Sequence, residues 1–308
     1  MKGFHMSRLH TRGARTDRPH APRGRAINLF YAPAVLVLII FTLYPLISGF
    51  ALSLTNWDGY NPDKTFVGLS NYVTMLKDSN FRVVLANTFI YGIGSTIIQQ
   101  VLGLGLALLL NTRIKGRNVI RAIIYLPALV SAVIMGTMYY FVFQYQQGAL
   151  NSILVVLGFD RVVWFDNPHV AVAIVVIVNS IQYVGTSMII YLAGLQGINR
   201  EVVEAAELDG ASGWKMFRNI TLPMLMPAFS TSVVLNLIGG LKLYDVIQVL
   251  TGGGPGYATN SVSTYISLTY FNNQNAGYAS AIGVVLFAVI VVVTVLVNKG
   301  LDRLGWES

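Results

Sequence analysis

The stretch EVVEAAELDGASGWKMFRNITLP, residues 201–223, lies between two long apolar runs and holds four of the thirteen acidic residues of the chain. Good helix formers fill positions 200–209, and Gly210 then interrupts the pattern. Ser212 is a suitable N-cap for a second short helix that reaches residue 218. The stretch therefore predicts two short helices around a glycine elbow, inside a loop that joins two apolar segments.

A helix over residues 200–209 would present two different faces. One face surrounds a single leucine with acids and consists of Glu201, Glu204, Glu207 and Leu208. The other face is apolar and consists of Val202, Val203 and Ala206. We expect the apolar face to pack under the neighbouring segments. The acidic face is compatible either with a solvated amphipathic loop or with a docking surface.

The chain around this loop has the composition of a membrane protein. Of its 308 residues, 54% are hydrophobic and only 11% are charged, and the mean hydropathy is +0.60. A helix needs about 20 mostly apolar residues to cross a bilayer. Six such runs occur, at 27–54, 84–110, 119–143, 169–195, 222–241 and 276–297. The sequence therefore predicts an all-α membrane protein with six transmembrane helices.

Basic residues predict the orientation of these spans, because loops rich in Lys and Arg stay in the cytoplasm. Seven of the 21 Lys and Arg residues precede position 27, and residues 111–118 (NTRIKGRN) add three without an acid. The concentration of basic residues in predicted cytoplasmic segments accounts for the net charge of +8, so this charge does not indicate a nucleic-acid partner. Three segments should then be outside, at 55–82, 144–168 and 248–275. The predicted organisation is a basic cytoplasmic tail (1–26), a membrane domain (27–299) and a cytoplasmic C-terminal tail (300–308), in a plasma or inner membrane.

The spacing in the opening stretch resembles the EAA signature of permease subunits of binding-protein-dependent ABC importers. Glu204-Ala205-Ala206 is followed after three residues by Gly210, and after nine more by Ile220-x-Leu222-Pro223. In that family the motif lies in the penultimate cytoplasmic loop and forms the coupling helix, which docks into a groove on the ATPase subunit. The resemblance implies a type I importer permease fold with a coupling loop at 196–222. It also implies an ATPase-coupling set of Glu204, Ala205, Ala206, Asp209 and Gly210.

Further motifs resemble the carbohydrate-uptake permeases of the maltose and glycerol-phosphate type. They are YPLISGFALSLTNWDG (44–59), FVGLSNYVTML (66–76), LPALVSAVIMG (126–136) and KLYDVIQVLTGGGPGYATNSVSTYI (242–266). The resemblance implies import of a sugar or related polyol by a heterodimer of this chain and a second permease. Its other implied partners are two ATPase subunits, which bind ATP and magnesium, and an extracytoplasmic solute-binding protein. It offers no role for the Arg-rich N-terminal tail.

The glycine-rich stretch LTGGGPG (250–256) could in principle cradle a phosphate. A nucleotide-binding loop ends in Gly-Lys-Ser/Thr, however, and that tripeptide occurs nowhere in the chain. A tight turn that re-enters the protein and a surface that faces the binding protein both remain open. Hydrolase and metalloprotease motifs are absent as well, so we expect no catalytic residue, no metal ligand and no cofactor in this chain.

Polar side chains inside the spans are candidates for a solute path, because they are costly in lipid and usually face an interior or a pore. The candidates are Asn179, Gln182 and Tyr183, within one turn of the fourth span, and Asn236 in the fifth. Amides pair with sugar hydroxyls, and an aromatic ring covers the apolar face of a sugar. The same side chains could instead hydrogen-bond neighbouring helices.

Other polar residues are equally ambiguous. Gln99 and Gln100 in the second span could serve either role. Lys242 and Asp245 share a helical face at i, i+3, which favours an internal ion pair or snorkelling over solute contact. His169, beside Pro168 at an interface, favours a structural role.

A self-contained secondary transporter or channel is the alternative function. It would require ionisable residues within the spans or an internal repeat of broken helices. Charges inside the spans are nearly absent, and no repeat is evident. The sequence therefore favours an ABC importer permease that depends on a separate ATPase.

Overall fold

The computed structural model describes residues 23–112 and 114–304. Most of the predicted N-terminal tail, Arg113 and residues 305–308 of the predicted C-terminal tail lie outside the described residues. The chain forms two compact units, one ending at Ser48 and the other beginning at Gly49.

The described part of the first unit, residues 23–48, belongs to one long helical run that ends at Leu52. Helix α1 (Arg23–Leu38) passes through a π-helical turn (Ile39–Leu43) into α2 (Tyr44–Leu52). The 22 residues Tyr31–Leu52 are long and apolar enough to cross a membrane, which confirms the first predicted span.

The second unit is also helical. Within the described ranges its one β-type pairing is an isolated bridge between Thr55 and Phe66. Before the coupling loop its helices are α3 (Ser70–Lys77), α4 (Ser79–Phe89), α5 (Ser95–Leu110), α6 (Arg117–Leu129), α7 (Ala132–Phe143), α8 (Ala149–Val156) and α9 (Pro168–Gln196). After it they are α10 (Arg200–Leu208), α11 (Gly213–Met216), α12 (Leu222–Met224), α13 (Met226–Leu241), α14 (Asp245–Leu250), α15 (Val262–Ser267) and α16 (Ala276–Leu304). Three π-helical turns join neighbouring helices, at Ile90–Gly94, Phe217–Thr221 and Leu268–Asn272.

Five of the six predicted spans are confirmed as single helices long enough to cross a membrane. In the second unit they are Ser79–Leu110, Pro168–Gly197, Gly213–Leu241 and Ala276–Arg303. The fifth predicted span began at residue 222, whereas the helix begins at Gly213. The difference arises because the second short helix of the coupling loop continues through a π-helical turn into α12 and α13.

The span predicted over 119–143 is not a single helix, because α6 and α7 meet at an angle of 99°, and the pair forms either one broken span or a re-entrant segment. Val130 and Ser131 have extended ψ angles of 141° and 135°, which end α6 and restart the chain as α7. Pro127 also has no N–H to donate within the last turn of α6. Hydropathy is uninterrupted across the bend, so the apolar pattern did not reveal it.

Helix α9 lies at the centre of the second unit and packs against α5, α6 and α13. Two glycines allow the backbones to approach closely. A Cβ at position 103 of α5 would lie 2.5 Å from the Ser187 Cβ, and one at position 185 of α9 would lie 2.5 Å from the Ile124 carbonyl oxygen. Small residues at helix contacts are typical of membrane bundles, where close van der Waals packing holds helices together.

The glycine-rich stretch forms a tight turn and re-enters the protein, as one of its two interpretations predicted. Gly252, Gly253 and Gly256 have positive φ angles, and Thr259 to Ser261 are buried. The returning chain is held by α4 and the turn after it. The Asn87 amide donates to the Ala258 carbonyl at 2.7 Å, and the Tyr91 hydroxyl donates to the Thr259 carbonyl at 2.8 Å.

Asp78 joins three elements at the same end of the unit. Its Oδ2 accepts hydrogen bonds from the Tyr265 hydroxyl at 2.7 Å and from the Tyr278 hydroxyl at 2.9 Å. Its Oδ1 caps α4 by accepting from the Asn80 N–H. Burial alone would raise the pKa of Asp78, but these hydrogen bonds outweigh it and lower the pKa below its ordinary value. The folded protein therefore stabilises the ionised carboxylate.

We expect Asp78→Asn to lower the stability of the protein by about 1 kcal/mol, because an amide accepts weaker hydrogen bonds than a carboxylate and the site is partly open to water. The contribution of Asp78 should be complete above its unfolded pKa of about 4 and should be lost as the pH falls through the lower folded pKa. Thermal unfolding in detergent between pH 7 and pH 3, with Asp63→Asn as an exposed control, measures both effects. Equal melting temperatures for the two variants would contradict this role.

Candidate functional site

The predicted coupling loop contains the predicted glycine elbow between two helical segments, of which α10 is short, whereas α11 begins the 29-residue helix Gly213–Leu241. Asn199 caps α10 by accepting a hydrogen bond from the Glu201 N–H at 3.0 Å, a cap that the sequence analysis missed. Gly210 has a φ of +80°, and the Ala211 N–H donates back to the Ala206 carbonyl at 2.9 Å. This left-handed turn ends α10 in the manner that favours glycine. Ser212 occupies the N-cap position of α11 as predicted, but its side chain makes no capping hydrogen bond.

The two ends of the coupling loop are clamped together at the bundle. A Cβ at position 194, near the end of α9, would lie 2.7 Å from the Ala228 Cβ on α13. Leu225 is completely buried beside Leu192 and Leu195. The loop therefore projects from a closed base, and α10 is separated from the end of α9 only by Gly197, Ile198 and Asn199.

The faces of α10 agree with the prediction except at one position. Ala206 is buried and Val203 is half-buried, so the apolar face packs inward. Val202 is exposed, although it was assigned to the same face. Leu208 is 90% exposed, and Trp214 beyond the elbow is 69% exposed and stacks on Phe217. The coupling loop thus displays two large apolar side chains beside its acids.

Glu204 is paired within its own helix. Its Oε1 accepts from the Arg200 Nε at 2.6 Å, and both side chains are largely exposed. This is the single ion pair found in the parts of the chain that the structure describes. Glu201, Glu207 and Asp209 also face solvent, so the surface keeps an acidic excess. An exposed i, i+4 pair is weak and easily exchanged for a different basic partner.

The predicted solute-path residues lie mainly inside the chain. Asn179, Gln182 and Asn236 are buried, and Tyr183 is half-buried. The Asn236 amide donates to the Ser187 hydroxyl at 2.6 Å and to the Ser232 hydroxyl at 3.3 Å, which joins α13 to α9. Asn236 is therefore engaged with two serines rather than with the amides of the fourth span. Ser187 and Ser232, small polar residues within the two spans, were the sequence signal for this network.

The two glutamines of α5 also face α9. Gln99 donates to the Asn179 carbonyl at 3.2 Å, and Gln100 accepts from the Tyr191 hydroxyl. Gln182 differs from them, because neither its amide nitrogen nor its oxygen has a hydrogen-bond partner among the described residues. It is also fully buried. A buried amide without partners is costly, which marks Gln182 as the unusual member of this group.

Of the two interpretations of Lys242 and Asp245, an internal ion pair or snorkelling, the ion pair is wrong. Helix α13 ends at Leu241, and α14 starts at Asp245, so the two residues do not share a helical face. Both are exposed, and they form no ion pair with each other. His169 lies at the exposed start of α9, where its backbone N–H donates to the side-chain oxygen of the capping residue Asn167. Within the described residues, no three His, Asp or Glu side chains come together as a metal site.

A protein-family model described as the binding-protein-dependent transport system inner membrane component matches residues 83–304. The trehalose/maltose transport system permease protein MalF of Thermococcus litoralis is 36% identical over 271 residues, which cover 88% of this chain and 92% of that protein. The arabinooligosaccharides transport system permease protein AraP of Bacillus subtilis is 35% identical over 274 residues, which cover 88% of this chain and 87% of that protein.

The fold is also similar to a solved structure. A chain of the bacterial alginate ABC transporter, in complex with an alginate pentasaccharide-bound periplasmic protein, superposes with a TM-score of 0.80 at 25% identity. The superposition covers 93% of this chain and 97% of that chain.

Replacing Gln182 with Leu tests whether its amide is unpaired in the folded chain. We expect Gln182→Leu to raise stability by about 1 to 3 kcal/mol, because it removes a buried polar group that has no partner. Asn236→Leu is the matched control and should lower stability, because it removes the hydrogen bonds of a buried amide to two serine hydroxyls. Thermal unfolding of both variants in detergent measures the difference. A destabilised Gln182→Leu protein would show that the amide is satisfied.

Proposed function

Because the chain belongs to the family of binding-protein-dependent transport system inner membrane components, we propose that it is the permease subunit through which an ABC importer moves a sugar or related polyol into the cell. The relatives that match most of its length include permeases named for trehalose and maltose and for arabinooligosaccharides. The observation that carries the proposal is the coupling loop, in which an EAA-type helix and a glycine elbow project from a clamped base.

We propose that this loop docks on a separate ATPase subunit, one copy for each permease. Leu208 and Trp214 offer apolar contacts at the tip, and the surrounding acids favour a basic groove. Glu204, Ala205, Ala206, Asp209 and Gly210 form the ATPase-coupling set. On docking, Glu204 exchanges Arg200 for a basic residue of the partner. The small side chain of Ala205 allows the partner to come close to α10, and Gly210 sets the angle between α10 and α11. ATP and magnesium bind to the ATPase.

The remaining partners are a second permease and an extracytoplasmic solute-binding protein. Support for the binding protein comes from the alginate transporter, whose solved complex contains a periplasmic protein loaded with a pentasaccharide. In this chain the surface for such a partner is the end formed by α3, α15 and the glycine-rich turn. The coupling loop then lies in the cytoplasm with both termini.

The proposed solute path runs between the two permeases along the side of α9 that carries Tyr183. Tyr183 is the part-exposed member of the predicted set, and its ring suits the apolar face of a sugar. Asn179, Gln182 and Asn236 stand behind it inside the chain. Gln182 has amide groups free to turn toward a solute when the helices separate.

The proposed mechanism is alternating access. ATP closes the ATPase dimer and moves the coupling loops, and the permease pair then opens outward to receive solute from the binding protein. Hydrolysis reverses the movement. The self-contained transporter remains the alternative, and no contact in the described residues favours it.

Glu204→Lys tests the docking surface, because it removes an attraction to the ATPase and adds a repulsion. We expect this variant to co-purify with less ATPase than the wild-type chain. Asp63→Lys makes the same charge change on an exposed acid at the opposite end and should retain the ATPase. Normal ATPase recovery with Glu204→Lys would contradict docking and show that the acidic face is only a solvated surface.

Gly210→Val tests coupling rather than docking. A β-branched residue resists the φ of +80°, so the angle between α10 and α11 should change while the acids remain. Gly116→Val is a matched control, because Gly116 has a φ of +79° and open space around it in a different loop on the same side. In reconstituted vesicles with the second permease, the ATPase and the binding protein, Gly210→Val should lose stimulation of ATP hydrolysis by the loaded binding protein. Equal stimulation in both variants would contradict the coupling role.

A further inference from the structure

Residues 145–165, between α7 and α9, form a compact unit around one asparagine. Asn151 is completely buried, and its amide donates to the carbonyls of Tyr145 at 3.0 Å and Val162 at 2.9 Å. Its oxygen accepts from the Val162 N–H and from the Trp164 Nε1, both at 3.1 Å. All hydrogen-bonding positions of this amide are used, so the unit, here called the Asn151 unit, has a defined shape.

The Asn151 unit is fastened to the end of the bundle. The Phe143 ring at the end of α7 contacts the rings of Trp164 and Phe165 edge-on, each with centroids 5.8 Å apart. These aromatic residues pack on a core cluster that includes Val176 of α9. Val176 lies 20 residues from Gln196 at the other end of α9, which is about 30 Å of helix and equals the thickness of the hydrocarbon layer. The unit also closely precedes Pro168, where the candidate span Pro168–Gly197 begins, so it is attached at one end of that span.

Part of the exposed surface of the Asn151 unit is apolar, whereas Gln147, Asp160 and Arg161 are exposed polar residues of the same unit. Ile153 and Val156 share one face of α8 at positions i and i+3, opposite the buried Asn151, and Leu157 directly follows the helix. Val156 is 86% exposed and Leu157 is 64% exposed. After a turn at Gly158, Phe159 is also exposed to 64%. A contiguous exposed apolar surface of this kind marks a contact with a partner or a membrane.

We infer that this apolar face lies in the interfacial layer of the bilayer and anchors the outer end of the permease to lipid. The level of the unit fits this layer, and so does its composition, with aliphatic and Phe side chains outside and Tyr145 and Trp164 at the edge. A surface for the binding protein would need polar contacts, because that partner must dissociate in every transport cycle. Ile153 and Val156 carry no polar group for such an exchange, and the charged residues of the unit, Asp160 and Arg161, follow Phe159 in the chain.

The absence of cysteine from the chain allows a direct test. Val156→Cys and Phe159→Cys, labelled with an NBD fluorophore, are placed in the full complex and reconstituted in phosphatidylethanolamine and phosphatidylglycerol vesicles. Gln147→Cys is the matched control, because Gln147 is an exposed polar residue of the same unit. We expect blue-shifted emission at positions 156 and 159, quenched by phospholipid that carries a doxyl group near the headgroup and unaffected by iodide. The label at position 147 should be quenched by iodide.

Two results would overturn the inference. Iodide quenching at positions 156 and 159 would place the face in water. Emission protected from both quenchers would place it against protein, and repeating the measurement without the binding protein would identify either that partner or the second permease. The readout is fluorescence and needs no transported solute, so it is valid whatever the outcome of the coupling experiments.

Discussion

The close packing of backbones around α9 is the constraint on which the rest of the structure depends. Lipid gives helices no hydrophobic reason to associate, so contact must come from shape. At Gly103 and Gly185 the neighbouring helices approach to distances that any side chain would forbid. These contacts hold α5 and α6 against one helix that runs from one end of the bundle to the other. The polar bonds from Gln99 and Asn236 then join α9 to α5 and α13 at fixed heights.

This packing explains why the coupling loop can act mechanically in the proposed function. The loop begins three residues after α9 and ends in the helix that continues into α13, and the Gly194–Ala228 contact closes its base. A force on α10 is therefore delivered to two packed spans at once. The proposed function also accounts for the charge concentrated in this loop, because exposed acids here are available to a soluble partner.

Sequence reasoning succeeded where a local property decided the structure. Uninterrupted apolar length identified five spans, and the glycine at position 210 identified the elbow because only glycine adopts its φ without strain. It failed where the apolar pattern carries no signal of the change. The pattern continues unchanged through three features, which are the α6–α7 bend, the end of α13 before Lys242 and the exposure of Val202. Helical periodicity also placed Asn179, Gln182 and Tyr183 together without indicating that two of them face inward.

The polar groups at the two ends of the second unit differ in whether their hydrogen bonds are made inside the chain. At the end with Asp78 and Asn151, carboxylate and amide are tied to several elements, and their hydrogen bonds are satisfied inside the chain. At the coupling loop the acids point outward, and Glu204 has one weak and exchangeable partner. Satisfied buried polar networks fix a shape, whereas exposed charges remain available for another molecule. The proposed function uses the first property where loops must keep their form and the second where the ATPase would bind, and the two kinds of polar group lie at the corresponding ends.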